Sequence, residues 1–391
     1  MNSQNTPVHI RLWHRDFWLM AIANLLLTIS VYMLIPVMPK WLMENQGLTA
    51  ELSGLAMAAF GVGLWTMGAF VSYLVQHYRR NSVYHWAVVT MVLSFLGAYY
   101  YDTQFCWFAD VPVMIIQRFV LGAAFGLAQM VLASTLVIDT CESYQRTEAN
   151  HSASWFGRFA LSLGPLTAML LCELSNFDTV LLVAVGCATA SLILVKCINF
   201  PFRAPQDDIP VVSLDRFFLP HGFPLFINLV LIMMAVGLVL ATPLKPLFYS
   251  MMMVGFLLAI LAQRFVFRDA EVKSESVSSL IAMGAALLMM ITRSQDIVQY
   301  AAPTFIGFGV GVLGSRFLLF FIKLSRHCQR GTSQSTFMLG WESGVALGVG
   351  LGVAFFNERP QQALMLAFAL IIVAMFMYQF THNWFARNKN R

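Results

Sequence analysis

The chain has 391 residues, of which 59% are apolar, 14% aromatic and only 11% charged, with a mean hydropathy of +0.70, whereas a soluble domain carries roughly 25% charge. That deficit excludes a soluble globular fold and predicts an all-α protein that crosses a membrane many times. The net charge of +5 does not point to nucleic acid, because the basic residues are scattered at the ends of apolar runs and form no patch.

Runs near the roughly 20 residues that a bilayer requires predict spans at 17–39, 52–75, 83–101, 111–138, 152–173 and 178–200, then at 217–240, 244–267, 276–292, 297–323, 336–356 and 361–381. The first run follows HIRLWHRD and has no small-residue cleavage site, so it is expected to remain as a helix. Twelve spans put both termini on one side. Of the 24 basic residues, 17 fall in the tails and connections of that side and 4 on the other, so the positive-inside rule places both termini in the cytoplasm of a cell (inner) membrane. The remaining three, Arg118, Arg158 and Arg316, lie inside spans.

The segment FPFRAPQDDIPVVSLD (200–215), with three prolines and the paired Asp207 and Asp208, reads as a linker. It divides the chain into an N-terminal six-helix bundle (1–200), a cytoplasmic linker (201–216) and a C-terminal six-helix bundle (217–391). The halves look duplicated. GAFVSYLVQHYRR aligns with GFLLAILAQRFVFR, setting Gly68 against Gly255 and Gln76 against Gln263 at an offset of 187, while Gly122 and Gly126 align with Gly307 and Gly311 at an offset of 185. Parallel repeats of this kind form transporters whose site lies near the midplane between the halves.

The six cysteines show neither a CxxC nor a metal-ligand spacing. No Walker string is present and no histidine lies deep in a span. No cofactor, metal or ATP is therefore expected, and an enzyme is not the expected class.

Four segments carry a family resemblance: YMLIPVMP (32–39) closing span one, the basic connection after span two, RFVLGAAFG (118–126) in span four, and LSLGP (161–165) in span five. Together with the topology they resemble the major facilitator superfamily, most closely its drug and metabolite proton-antiporter (efflux) branch. The resemblance implies two six-helix bundles rocking in alternating access, with helices one, four, seven and ten lining the cavity. It also implies a cytoplasmic gate at Gln76, Arg79, Arg80, Asp139 and Arg146, repeated at Gln263 and Arg264, and helix-packing motifs at Gly122, Gly126, Gly164 and Pro165. The chain departs from the family pattern in having Gln76 where the loop carries an aspartate, and Ala160 and Ala168 where the antiporter motif often has glycine.

An arginine at membrane depth costs about 2.5–3.5 kcal/mol on insertion scales, so it faces protein or a wet cavity. Arg118 either pins backbone carbonyls or serves transport. Arg316 and Glu342 lie equally far from the turn between spans ten and eleven, so they are expected to pair, either as a structural ion pair or as a protonation device. Arg158 stands at the position equivalent to Glu342, at an offset of 184. It meets an anionic group or Glu342 across the cavity, bonds helix four, or snorkels. Asn24, Gln129 and Asn228 add hydrogen bonds to a ligand or to neighbouring helices.

The expected function is secondary active transport of a small organic molecule, proton-coupled efflux of a drug-like compound or metabolite. The alternatives are proton-coupled uptake of a small organic anion and, in another class, a non-transporting receptor or intramembrane enzyme. The expected partners are substrate, protons and lipid, without nucleic acid, and the expected state is a monomer.

Overall fold

The computed structural model describes residues 11–104, 111–200, 209–267, 271–293, 295–326 and 329–389. The first half of the expected linker, with Asp207 and Asp208, and Cys106 and Cys328 lie outside them.

Twelve helices are long and apolar enough to cross a membrane: α1 (Arg15–Glu44), α2 (Ala50–His77), α3 (Arg80–Tyr101), α4 (Val111–Asp139), α5 (Arg146–Leu174), α6 (Phe177–Lys196), α7 (Pro220–Leu240), α8 (Pro246–Phe265), α9 (Val272–Thr292), α10 (Asp296–Leu324), α11 (Arg330–Phe356) and α12 (Pro360–Asn388). All twelve expected spans are present. Several helices overrun the apolar segment that announced them: α5 begins at 146 instead of 152, α9 at 272 instead of 276, and α11 at 330 instead of 336. Hydropathy marks the part of a helix that sits in hydrocarbon, whereas backbone hydrogen bonding carries the helix on into the polar zone.

In the first half α1 packs on α5 and α6, α2 on α4, α3 on α4, and α3 on α6; in the second, α7 packs on α11 and α12, α8 on α10, α9 on α10, and α9 on α12. Each pairing in one half recurs in the other six helices later. The halves meet through α2 against α11 and α5 against α8, which are themselves equivalent, and through α4 against α11 and α5 against α10. The result is two pseudo-symmetric six-helix bundles.

Small residues let backbones approach where lipid offers no hydrophobic drive between helices. A Cβ on Gly63 would sit 2.2 Å from the Phe119 carbonyl oxygen, and one on Gly122 would sit 2.1 Å from that of Phe60. The second half repeats this crossing: a Cβ on Gly255 would lie 2.2 Å from the Thr304 oxygen, and one on Gly307 would lie 2.1 Å from that of Met252. These shared contacts correct the alignment expected from sequence. Gly255 is equivalent to Gly63, an offset of 192, and not to Gly68, so Gln263 is not the counterpart of Gln76. The offset of 185 between α4 and α10 holds. So does 184 between α5 and α11, because Gly164 packs on Tyr32 and Met33 of α1 as Gly348 packs on Met234 and Gly237 of α7.

The halves close tightly on the face opposite the termini. There a Cβ on Gly54 would meet the Gly350 oxygen at 2.5 Å and the Ala354 Cβ at 2.6 Å. Gly63→Val is expected to cost about 1–3 kcal/mol through overpacking, read as a lower unfolding midpoint in detergent. Gly97→Val is expected to be neutral, since nothing lies within 4 Å of its Cβ position.

Candidate functional site

Between the halves lies a cavity of about 50 Å³ lined by Asn24, Thr28 and Tyr32 of α1, Gln129, Leu132, Ala133 and Val137 of α4, Asn150, Ala153, Ser154, Gly157 and Arg158 of α5, and Gln334, Phe337, Met338, Trp341 and Glu342 of α11. A cavity of about 150 Å³ admits benzene and one water needs about 10–15 Å³. In this closed arrangement the site therefore has room for a few waters and none for an organic solute. Helices α7 and α10 supply no lining residue, contrary to expectation. Gly237, Gly344 and Gly348 bring α7 against α11, and α11 presents its own side chains to the cavity.

Two irregular helices border the site. The α1 ladder is interrupted at Met33, between helical stretches ending at Tyr32 and resuming at Leu34. Pro36 has no N–H for the Tyr32 carbonyl, so the motif YMLIPVMP places the break at this tyrosine. In α4 a π-helical turn covers Leu132–Leu136, an irregularity that is frequent at functional sites.

Glu342 is 5% exposed and is held by a hydroxyl. The Tyr32 O–H donates to its Oε1 at 2.6 Å, and the Trp341 indole N–H donates to the Tyr32 oxygen at 3.1 Å. No ion pair to Glu342 is present among the described residues. The expected Arg316–Glu342 pair is not formed: the Arg316 Nε donates to Glu275 Oε2 at 2.7 Å, and Nη2 bridges the same oxygen. Counting from the turn gives depth but not azimuth. Arg316 lies on the face of α10 toward α9, while its neighbour Ser315 faces α5.

Arg158 reaches from the first half into the second. Its Nη1 donates to Ser315 Oγ at 2.6 Å and to the Gly311 carbonyl at 3.3 Å, its Nη2 donates to Ser154 Oγ at 2.6 Å, and its Nε has no partner. The guanidinium lies 4.5 Å from the Trp155 ring centroid, and Gly314 leaves room for both the Arg158 and Trp341 side chains. Helix four is not among its partners, and the side chain is 2% exposed, which rules out snorkelling. Arg118 is equally buried and sits over the Phe60 ring at 5.3 Å, with Nε and Nη1 unpartnered. It makes none of the backbone bonds that a purely structural arginine would make. With Tyr32 and Glu342 it borders a second cavity of about 20 Å³, room for one water.

Gln129 donates to Asn24 Oδ1 at 3.0 Å and to Thr28 Oγ1 at 2.8 Å, and Asn24 donates to the Ala153 carbonyl at 2.9 Å. This network ties α1, α4 and α5 along the cavity wall. Asn228 is elsewhere: it donates to the Ala374 carbonyl of α12 at 3.0 Å and joins helices without facing the cavity.

At the face bearing the termini, Arg80 pairs with Asp139 at 2.5 Å, as the family loop implies. Gln76, standing in for that loop's aspartate, donates to Ser72 Oγ at 2.6 Å, and Ser72 donates to Asp215 Oδ2 at 3.2 Å. Asp215 Oδ1 accepts from Thr332 of α11 at 3.2 Å, the Arg216 N–H donates to Thr332 Oγ1 at 2.8 Å, and the Ser213 N–H donates to the Ala69 carbonyl at 2.9 Å. Asp215 thus clasps α2 to α11 across the two halves. Arg216 has φ +58, the one positive value at a non-glycine among the described residues, and such backbone strain persists only where surrounding contacts over-determine it. In the second half Gln263 has an unpartnered Nε2 and Arg264 lies over the Phe265 ring at 5.6 Å, so the clasp is not repeated at these positions; Arg146, in the first half, has an unpartnered Nε.

The sequence matches the Major Facilitator Superfamily over residues 20–349, and the chain belongs to that family. No curated protein matches it by sequence. Among solved structures, the xylose transporter XylE from E. coli in its inward-open form is 14% identical, with a TM-score of 0.69 over 93% of this chain and 95% of that one. A mutant form of the nucleoside transporter NupG is 13% identical, with a TM-score of 0.67 over 94% and 100%. The human organic anion transporter MFSD10 is 14% identical, with a TM-score of 0.65 over 92% and 98%. At these identities the likeness establishes the fold. The chain is an integral multi-pass membrane protein and a transporter of the alternating-access class, not an enzyme, and these neighbours do not single out the efflux branch.

Glu275→Gln is expected to destabilise the protein by about 3 kcal/mol, because it strips the counter-charge from Arg316. An unfolding titration that includes the Arg316→Gln, Glu275→Gln double variant checks this, and the double variant should recover part of the loss.

Proposed function

We propose that the protein is a proton-coupled secondary transporter of a small polar organic anion, with its termini in the cytoplasm of an inner membrane. The observation that carries this reading is that Arg158 and Glu342, related by the internal repeat, line one cavity between the halves as a guanidinium and a carboxyl with no bond to each other. A lone carboxyl at membrane depth marks a proton path, and Glu342 is the coupling group in this reading. Arg158 holds the anionic group of the solute, with Arg118 as a second cation beside Glu342. Most of the side chains lining the cavity carry a polar group. An amphipathic drug-like compound would leave those without a protein partner, Arg158 Nε, Asn150 Oδ1 and Gln334 Oε1, unpaired, each at a cost of about 1–3 kcal/mol, so efflux of such a compound is the poorer fit.

The clasp at Asp215, Ser72 and Gln76, with Arg80, Asp139 and Arg146 nearby, is the gate on the cytoplasmic side. It replaces the charge that the loop lacks at Gln76. Where the face opposite the termini closes by backbone contact at Gly54 and Gly350, this face closes by hydrogen bonds that water can replace.

In proteoliposomes loaded with organic anions, Glu342→Gln is expected to lose accumulation driven by a pH gradient while still exchanging the same anion between equal pools. Wild-type accumulation by that variant removes Glu342 from coupling. Arg158→Gln is expected to weaken the transported anion at least tenfold; unchanged affinity for every anion carried would remove Arg158 from binding. Asp215→Asn is expected to raise several-fold the rate at which an aqueous thiol reagent labels Ala133→Cys in a background free of the native cysteines.

A further inference from the structure

Two lining residues are left without a role in anion binding or proton coupling. Asn150 of α5 and Gln334 of α11 are 2% and 6% exposed. Neither side-chain amide makes a hydrogen bond with any described residue, and Asn150 Oδ1 and Gln334 Oε1 are shut off from solvent without a partner. A buried polar group left in this state costs about 1–3 kcal/mol. Two such groups in one cavity point to a partner that arrives from outside.

Their positions are related. Gln334 follows Asn150 by 184 residues, the offset that relates Glu342 to Arg158 and Gly348 to Gly164. The amides are therefore a second repeat-related pair, two helical turns nearer the terminal face than the charged pair. The guanidinium closes part of that gap, because Arg158 leans one turn back to Ser154. Its charge then stands about one turn, roughly 5 Å, from the level of Asn150, a distance that a chain of five or six carbons spans.

We propose that Asn150 and Gln334 form a hydroxyl-binding subsite, so that the transported anion is a polyhydroxylated carboxylate with its carboxylate at Arg158 and its hydroxyl groups between the two amides. Each amide offers a carbonyl acceptor and an NH₂ donor. A hydroxyl both donates and accepts at one atom and is, after water itself, the smallest group that answers both. The subsite rests on the anion-transport reading but fails separately from it.

The test uses the full chain in nanodiscs, titrated calorimetrically with gluconate, galactonate, hexanoate and sorbitol. The wild type is expected to bind one or both hydroxylated acids at least tenfold more tightly than hexanoate, and sorbitol more weakly than either acid. Asn150→Ala and Gln334→Ala are each expected to erase that preference while leaving hexanoate affinity within about twofold. Their unfolding midpoints should stand at or above the wild-type value, because each removes an unpaired buried amide; a fall in both midpoints would mark the amides as structural and overturn the subsite. Equal affinity for hydroxylated and plain acids in the wild type, or a preference that survives both substitutions, overturns it too while the anion reading stands. Failure of every carboxylate to bind the wild type removes both.

Discussion

A charge at membrane depth must find a partner or a wet surface, since leaving it bare costs several kcal/mol. The chain answers this constraint in graded ways. Arg316 is neutralised by Glu275 within the second half, a local solution that leaves nothing over for function. Arg158 is surrounded by two hydroxyls, a carbonyl and an indole ring, a shell of neutral groups that lowers the cost without cancelling the charge. Arg118 has a phenyl face, and Glu342 has one tyrosine hydroxyl. The three groups without an ion pair all border a cavity between the halves.

The scaffold follows from the same absence of water. Without a hydrophobic drive between helices, close approach through glycine takes over, and the α2–α4 crossing is copied in α8–α10 almost atom for atom at Gly63, Gly122, Gly255 and Gly307. Pairs of this kind tie neighbouring helices within each half backbone to backbone. The contacts between halves differ at the two faces, with backbone against backbone at Gly54 and Gly350, and a hydrogen-bonded strap at Asp215.

The fold is legible because bilayer thickness, charge asymmetry and glycine spacing are all written along the chain. The candidate site is legible in part. Arg158, Glu342, Asn24 and Gln129 stand out as polar residues inside apolar runs, and the equivalence of Arg158 and Glu342 follows from the repeat. The misses share a cause. Glu275, Asn150 and Gln334 fall one or two residues outside the spans that hydropathy predicts, although each lies within a continuous helix. The Gly68–Gly255 alignment fails because identical residues at similar spacing carry no information on which backbone they touch. Extending each span by a helical turn at both ends brings all three residues, and the Asn150–Gln334 offset, into view.

The duplicated unit is nearly twofold in its backbone, yet its equivalent positions carry a cation on α5 and an acid on α11. A cavity built from identical halves would accept a lopsided guest in either of two senses related by the pseudo-axis. This one sets a guanidinium on α5 against a carboxyl on α11, so under the anion-transport proposal an anionic head is directed toward α5 and the same atoms face the same wall. Under that proposal the carrier distinguishes the two ends of its cargo before either gate moves, and the pose related by the pseudo-twofold axis is disfavoured.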